Sequence, residues 1–242
     1  MVYPSPADRD RVLAVTGIAR EARIAAGPGI VAICCGANPD RLRAGLAAID
    51  ASALRAVVSF GLAGGLDPVL RRGNVVVATQ ITAGGHTWQT DPVLTRTLAG
   101  ALSRHRNAPI LAGVAGADAP VMDAAAKAAL HRATGAAAVD MESPVAAEFA
   151  SAHRLPVGVV RVICDPASRA LPALAQHALD THGHMDLPAM FRGLARDPWQ
   201  IAALVQSARD FATALASLRG CRRLLGVRLG LADLDQLVLD VA

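Results

Sequence analysis

Aromatic residues and lysine are both scarce in this sequence. Only 3% of the 242 residues are aromatic, and Lys127 is the single lysine, so arginine carries almost all of the positive charge. Domains that bind nucleic acid typically cluster basic residues with interleaved aromatics. No such cluster is present, and Arg222–Arg223 is only a short pair near the end of the sequence. The composition therefore argues against a nucleic-acid partner, and the formal net charge of +4 is read as a solvated arginine surface.

Cysteines are few, and none of the four forms a CxxC pair, which argues against a zinc site or a thioredoxin-like motif. Cys34, Cys35 and Cys164 fall in apolar runs that resemble buried strands, so we predict buried free thiols in a reducing compartment. We expect no metal site.

Long apolar runs are also missing. No stretch of about 18 apolar residues is available to span a membrane, and the polar N-terminal residues lack the apolar segment of a signal peptide. We therefore expect a cytoplasmic protein.

Short β-branched runs alternate with Ala-, Leu- and Arg-rich stretches. This alternation predicts an α/β fold, a three-layer α/β/α arrangement with a mainly parallel mixed sheet. Residues 1–220 form the predicted domain, and 221–242 a C-terminal extension. The predicted strands are Val12–Thr16, Ile30–Cys35, Ala56–Phe60, Asn74–Ile81, Ile110–Val114, Ala138–Met141 and Val157–Cys164. The predicted helices are Asp40–Ile49, Pro92–His105, Asp123–Ala133, Pro144–His153 and one or two within Pro188–Leu218.

A glycine-rich segment, Ser59–Gly65, directly follows one predicted strand. Glycines allow close backbone approach and inward-pointing N–H groups, so Gly61, Ala63 and Gly64 could form a nest for phosphate or ribose hydroxyls. A simple tight turn explains the same pattern, and both interpretations stay open.

Two acidic residues lie at strand ends, where ligands bind in open α/β sheets. Glu142 stands where a strand gives way to a helix, a position that favours a carboxylate. Asp165 closes the apolar run from Val159 and precedes a proline. Taken singly, a helix-start acid explains Glu142 equally well, and a turn-forming Asp-Pro is the commoner explanation of Asp165.

Taken together, these segments resemble a known superfamily. The strings GLAGGL, GNVVVA, VDMES and VRVICD occur in the order and spacing of the methylthioadenosine/S-adenosylhomocysteine nucleosidases and their purine nucleoside phosphorylase relatives. Gly116–Val121 resembles the family's segment beside the purine, and Thr16–Glu21 resembles its first strand and acidic loop. The resemblance covers roughly residues 10–218 and implies a nucleoside phosphorylase-like fold.

The resemblance also implies roles for individual residues. Asp165 would protonate the purine at N7, Glu142 would hold the ribose hydroxyls, and Glu21 would orient or deprotonate the nucleophile. Met141 would pack under the ribose, and the backbone of Val121 would meet the base edge. An oxocarbenium-like transition state requires two different carboxyls. We therefore expect Asp165 to be protonated or proton-sharing and Glu142 ionised.

Two departures from the family pattern concern the nucleophile. Leu62 stands where relatives often carry Ser or Thr, and Ser59 stands where phosphorylases commonly carry Arg. Arg20 or His86 could bind phosphate instead. The sequence thus leaves open whether the nucleophile is water or inorganic phosphate as a co-substrate, and no other cofactor is expected.

Within the superfamily the chain is most similar to the hopanoid-associated phosphorylases, through TGIAREARIAA, ICCGANPDRLRAGL and the segment from Asp186 to Leu218. That resemblance implies removal of adenine from adenosylhopane in hopanoid biosynthesis, a homo-oligomer, and transient contact with the inner membrane surface. An apolar lip within Met185–Trp199 would receive the lipid tail, although core-facing residues of a helix start are the commoner explanation of this pattern. Two alternatives stay open: a nucleosidase for soluble nucleosides, and a non-catalytic nucleoside-binding protein, which would not need Asp165.

Overall fold

The computed structural model describes residues 10–36, 38–170 and 201–233, in which eight strands and six α-helices form. The strands are β1 Arg11–Thr16, β2 Ile30–Cys34, β3 Leu54–Gly65, β4 Val75–Ala83, β5 His86–Gln89, β6 Ile110–Gly116, β7 Ala138–Asp140 and β8 Val157–Asp165. The helices are α1 Ala19–Ala25, α2 Pro39–Ala47, α3 Pro92–Leu102, α4 Ala124–Thr134, α5 Ser143–Ala152 and α6 Ile201–Leu225.

All eight strands belong to one mixed sheet. Along its main path the order is β2-β1-β3-β7-β6-β4-β5, and β8 pairs with both β3 and β4. The pairs β1–β2, β1–β3, β3–β8, β4–β6 and β6–β7 are parallel, whereas β3–β7, β4–β8 and β4–β5 are antiparallel. The pairings among β3, β8, β4, β6 and β7 close a ring, so the sheet curls strongly at this end.

Helices cover both faces of the sheet. Along β1 the side chains alternate, so that Val12 and Ala14 pack with α3 and α6, while Leu13 and Val15 pack with α2 and α5. Alternation with a period of two sends successive side chains to opposite faces. The predicted three-layer fold is therefore confirmed, and the closure of the ring is an addition that the apolar runs alone did not indicate.

The sequence prediction did not include helix α1 or strand β5, and it ended strand β3 too early. Helix α1 has only seven residues. Strand β5 is mostly exposed and follows a turn at Gly84 and Gly85, both with positive φ; a Gly-Gly pair between strands is a recognised hairpin signal. Strand β3 continues to Gly65 rather than ending at Phe60, so the expected glycine-rich loop is wrong.

The predicted boundary at residue 220 falls inside α6, which continues to Leu225. Beyond that boundary, Cys221, Leu225, Leu229 and Leu231 pack in the main core beside β1 and α3. The described part of the predicted extension thus shares the core of the rest of the chain, and residues 234–242 lie outside the described residues.

Of the four cysteines, all unpaired, only Cys221 is fully buried, whereas Cys34, Cys35 and Cys164 are half-buried. No helix in the described ranges has the length and apolar character to cross a bilayer. The proposed lip at Met185–Trp199 lies outside the described residues, so it stays a prediction.

Helix α3 packs on β8 at a glycine. A Cβ on Gly158 would lie 2.8 Å from Leu98 Cδ1 and 2.9 Å from Leu94 Cγ, and both leucines are almost completely buried. We predict that Gly158→Ala lowers the free energy of unfolding by about 1–3 kcal/mol, as overpacking of a core typically does. Urea unfolding followed by far-UV circular dichroism measures this.

Gly100→Ala in α3 is the matched control, because a Cβ there meets nothing within 4 Å. It should leave the protein as stable or raise its stability by about 0.5–1 kcal/mol, the usual gain for alanine over glycine in a helix. Equal destabilisation by both changes would contradict this account of the contact.

Candidate active site

The candidate site forms where β3, β7 and β8 meet near their ends. Gly64 on β3 pairs with Val139 on β7 and with Asp165 on β8. The chain segments that carry Glu142 and Asp165 are therefore neighbours of the same strand. Strand β3 provides the floor between them, and the first turn of α1 adds Glu21 from the side.

Arg161 on β8 is the centre of the site. It is a fully buried arginine, with Nε 2.6 Å from Asp140 Oδ2 and Nη2 3.3 Å from Glu142 Oε2. Its other contacts are Nη2 to the hydroxyl of Ser59 at 2.6 Å and Nη1 to the carbonyl of Leu62 at 3.2 Å. One guanidinium thus links the end of β7, the start of α5 and the middle of β3.

Asp140 connects this guanidinium to the start of α5. Its Oδ1 accepts hydrogen bonds from the backbone N–H groups of Glu142 at 3.1 Å and Ser143 at 2.8 Å, and its Oδ2 accepts one from the Ser143 hydroxyl. The free N–H groups of a helix start are thereby satisfied. Asp140 is therefore a structural carboxylate that fixes where Glu142 stands.

Glu21 is buried and held by backbone donors. Its Oε2 accepts from the N–H of Gly17 at 2.7 Å and of Ile18 at 3.1 Å, and its Oε1 accepts from the N–H of Leu62 at 2.8 Å. Burial raises the pKa of this carboxyl, while Arg161 and the three backbone donors oppose the rise.

Glu142 lies opposite Glu21, across Gly17. A Cβ on Gly17 would come within 2.6 Å of Glu142 Oε1 and 3.3 Å of Glu21 Oε2. Burial, reinforced by the negative charges of Asp140 and Glu21 and opposed by Arg161, raises the pKa of Glu142 to about 8. In the ligand-free protein this carboxyl is therefore largely protonated at neutral pH, which differs from the ionised state expected from the sequence.

The glycines of β3 make room for side chains and do not form a nest. A Cβ on Gly61 would lie 2.7 Å from Arg161 Nη1 and 2.8 Å from Glu21 Oε2, and one on Gly64 would lie 3.4 Å from Asp165 Oδ2. The N–H of Leu62, which a nest would turn toward a ligand, instead binds Glu21. The predicted loop at Gly61, Ala63 and Gly64 is thus corrected to a strand beneath the carboxylates, and contact of these residues with phosphate or ribose stays a prediction.

Asp165 ends β8 and has a partner that the sequence did not indicate. The ammonium group of Lys127, on α4, donates to Asp165 Oδ2. The lysine side chain is completely buried, whereas the aspartate side chain is 12% exposed. Burial raises the pKa of Asp165, and the charge of Lys127 acts in the opposite direction.

The remaining candidate residues are Met141, His86, Val121 and Arg20. Met141 and His86 line the same pocket, together with Trp88, Asp118 and Pro144. Val121 is half-buried and packs on the small cluster around Val139. Arg20 is exposed and its guanidinium lies over the ring of Phe211, 5.9 Å from its centre. Among the described residues, no hydrogen bond or ion pair joins its side chain to Glu21, Glu142 or Arg161.

A comparison with models of protein families shows to which family the chain belongs. Residues 8–187 match the sequence model of the Phosphorylase superfamily. The chain belongs to this superfamily. A search of curated proteins finds no match.

Solved structures agree with this superfamily fold. The futalosine hydrolase of Helicobacter pylori superposes with a TM-score of 0.67 at 15% identity, over 93% of this chain and 98% of that one. The 5′-methylthioadenosine/S-adenosylhomocysteine nucleosidase of H. pylori gives 0.66 at 15% identity, over 94% and 99%. That of Neisseria meningitidis, in complex with methylthio-immucillin-A, gives 0.65 at 17% identity, over 89% and 98%.

Sequence reasoning missed three charged residues of this superfamily member: Arg161, Asp140 and Lys127. Two of them have a sequence feature that could have identified them. Arg161 interrupts the apolar run of β8, and Lys127 is the single lysine of an arginine-rich chain. A charged residue that is fully buried is rare unless it is paired. Among the described residues, no group of His, Cys, Asp or Glu side chains is arranged to hold a metal ion.

The raised pKa of Glu142 gives a test on the protein without substrate. Because the folded-state pKa lies above the ordinary value of 4.5, the penalty for burying Glu142 is absent below that value and grows until pH reaches about 8. We predict that Glu142→Gln becomes progressively more stable than the parent protein over this pH range, by on the order of a few kcal/mol at its upper end. Urea unfolding at pH 5, 6, 7 and 8 measures the difference.

The matched control is Glu148→Gln, which removes a carboxylate from the exposed side of the same helix, 41% exposed and paired with Arg43. A pH slope that is equal in the two variants would contradict the specific burial of Glu142.

Proposed function

We propose that this protein hydrolyses the N-ribosyl bond of an adenine nucleoside. The observation that carries the proposal is a buried group of three carboxylates around one guanidinium, next to a separate acid on the adjoining strand end. Membership of the Phosphorylase superfamily and likeness in fold to nucleosidases and a futalosine hydrolase support it.

The two parts of the site match the two ends of the breaking bond. When the bond between ribose and base breaks, its electron pair goes to the base and positive charge develops on the sugar. Asp165 gives its proton to the leaving base. Glu21, and Glu142 once it ionises as positive charge develops, place negative charge beside the sugar, where buried charges act more strongly than they do in water.

The charges of this cluster favour water over phosphate as the nucleophile. Three carboxylates surround Arg161, and its nitrogens already contact Asp140, Glu142, Ser59 and the Leu62 carbonyl. A phosphate anion would need a cation to offset its desolvation, and like charges would repel it. In the described part of the chain, Arg20 faces Phe211 and His86 lies on an exposed strand, so neither of the two predicted phosphate ligands joins this cluster.

The nature of the 5′ substituent is the narrower part of the proposal. The likeness of the sequence segments to hopanoid-associated phosphorylases supports adenosylhopane, with transient membrane contact and a homo-oligomer as its corollaries. The second candidate is a methylthioadenosine-type nucleosidase, supported by the nucleosidases among the solved structures of similar fold. A binding protein without activity would have no use for a buried acid held by a buried lysine.

Adenine release decides between these substrates and between the two nucleophiles. We predict that the protein releases adenine equally fast with and without inorganic phosphate and gives a free reducing sugar. Adenosylhopane and methylthioadenosine are the substrates to compare at equal concentration. An absolute requirement for phosphate, with a sugar phosphate as product, would refute the hydrolytic proposal.

Asp165→Asn tests the acid. The amide keeps the shape but cannot donate the proton of a carboxylic acid, so we predict a loss of about 10²–10⁴ in kcat, the usual contribution of a general acid. Asp40→Asn is the control, because that carboxylate is 95% exposed and lies on α2. Turnover of Asp165→Asn within about threefold of the parent would contradict this role.

A further inference from the structure

Lys127 has a place in the structure that packing alone does not explain. It is the single lysine of the chain and is completely buried. Its Nζ donates to Asp165 Oδ2, to the carbonyl of Pro166 at 3.2 Å and to the carbonyl of Arg169 at 3.0 Å. Three acceptors match the three hydrogens of an ammonium group, whereas a neutral amine has two. The three acceptors thus match an ammonium group, and Asp165 is the carboxyl that it holds by one oxygen.

The same contacts fix the chain after β8. Lys127 binds the turn from Pro166 to Arg169 on one side, and the Arg169 side chain pairs with Asp210 of α6 on the other. Asp210 is almost fully buried and also pairs with Arg72 at 2.9 Å. Asp165 thus stands at the head of a turn that two helices hold, with one carboxyl oxygen already bound.

The part of this ion pair that solvent reaches is the carboxyl. Lys127 is 0% exposed and Asp165 is 12% exposed. A ligand or a water molecule can therefore reach Asp165, but not the ammonium group. Lys127 does not touch the substrate and can act only through Asp165.

From these contacts we propose that Lys127 is a positioning residue. It holds one oxygen of Asp165, so that the other oxygen faces the leaving base, and it sets how readily the carboxyl releases its proton. The proposal rests on the proposed function. In the step itself, the Asp165 O–H breaks, the proton moves to a ring nitrogen of the base, and the ribosyl bond electrons stay with the base. Lys127 remains an ammonium group throughout, and solvent returns the proton to Asp165.

The charges around Asp165 predict the direction in which it changes when Lys127 is altered. Lys127 on α4 lowers its pKa, while burial and Asp210 on α6 raise it. Cys164, the neighbour on β8, has a pKa that is raised by burial, so its thiol is uncharged. Arg169 and Arg72 are both paired with Asp210. Without Lys127, burial and Asp210 still raise the pKa of Asp165, and the hydrogen bond from its own backbone still opposes them.

The first test is a titration of substrate-free protein. The carboxyl carbon of Asp165 is followed by ¹³C NMR and assigned with Asp165→Asn. In Lys127→Met, and in Lys127→Gln, which retains a hydrogen-bond donor without the charge, the titration should move up by about one pH unit or more. A change below about 0.3 unit in both variants would overturn the proposal.

The second test needs no change at residue 127. Because the chain has one lysine, ¹⁵Nζ-labelled lysine gives the signal of Lys127 alone. The signal should be that of an ammonium group at neutral pH and should show a step where Asp165 titrates, which disappears in Asp165→Asn. A neutral amine at pH 7 would overturn the proposal even if neither variant of Lys127 folds.

The third test separates positioning from simple support of the fold. Lys127→Met should lower kcat for the nucleoside by about 10–100-fold, as expected for a displaced catalytic group, with KM changed less than about twofold. Its alkaline limb of kcat against pH should move to higher pH, and that of Lys127→Arg, which keeps the charge, should not. Equal loss at every pH would overturn the proposal. A parent protein that cleaves no nucleoside would instead refute the proposed function, and the two titrations would still decide this inference.

Discussion

The buried guanidinium of Arg161 is the interaction on which the site depends. An isolated charge is costly to bury, and this one is offset because Asp140 and Glu142 pair with it, while Ser59 and the Leu62 carbonyl accept hydrogen bonds from its two terminal nitrogens. The dependence is mutual, since the three carboxylates of the cluster would repel one another without it. It also fixes geometry, because its partners belong to β3, β7 and the start of α5.

The glycines of β3 follow from the same constraint. The sequence suggested that Gly61 and Gly64 present backbone to a ligand, since glycine permits close approach. Other groups do lie close to these glycines, but they are the side chains of Arg161, Glu21 and Asp165. The run of glycines therefore indicated a place of close packing, but sequence adjacency does not reveal which side chains reach it from other elements.

What could be read from the sequence was mostly local. Apolar runs located seven of the eight described strands, and acids at their ends located Glu142 and Asp165. The pairs Arg161–Asp140 and Lys127–Asp165 join residues 21 and 38 positions apart, and no periodicity encodes such pairing. Strand β5 and helix α1 were not predicted from the sequence, because β5 is mostly exposed and α1 has only seven residues. Neither gives a clear apolar pattern.

Glu21 and Glu142 are held in different ways, and under the proposed function this difference would give them different tasks. Glu21 accepts three backbone N–H bonds, which favour its charged form and leave it little freedom to move. Glu142 has a 3.3 Å contact with Arg161, and its pKa of about 8 reflects the negative neighbours that compete for the same cation. A positive charge developing on the ribose would shift Glu142 toward its ionised form, whereas Glu21 would stay as it is. Under the proposed function, Glu21 would be the carboxylate that orients the nucleophile, and Glu142 would supply additional negative charge as the bond breaks.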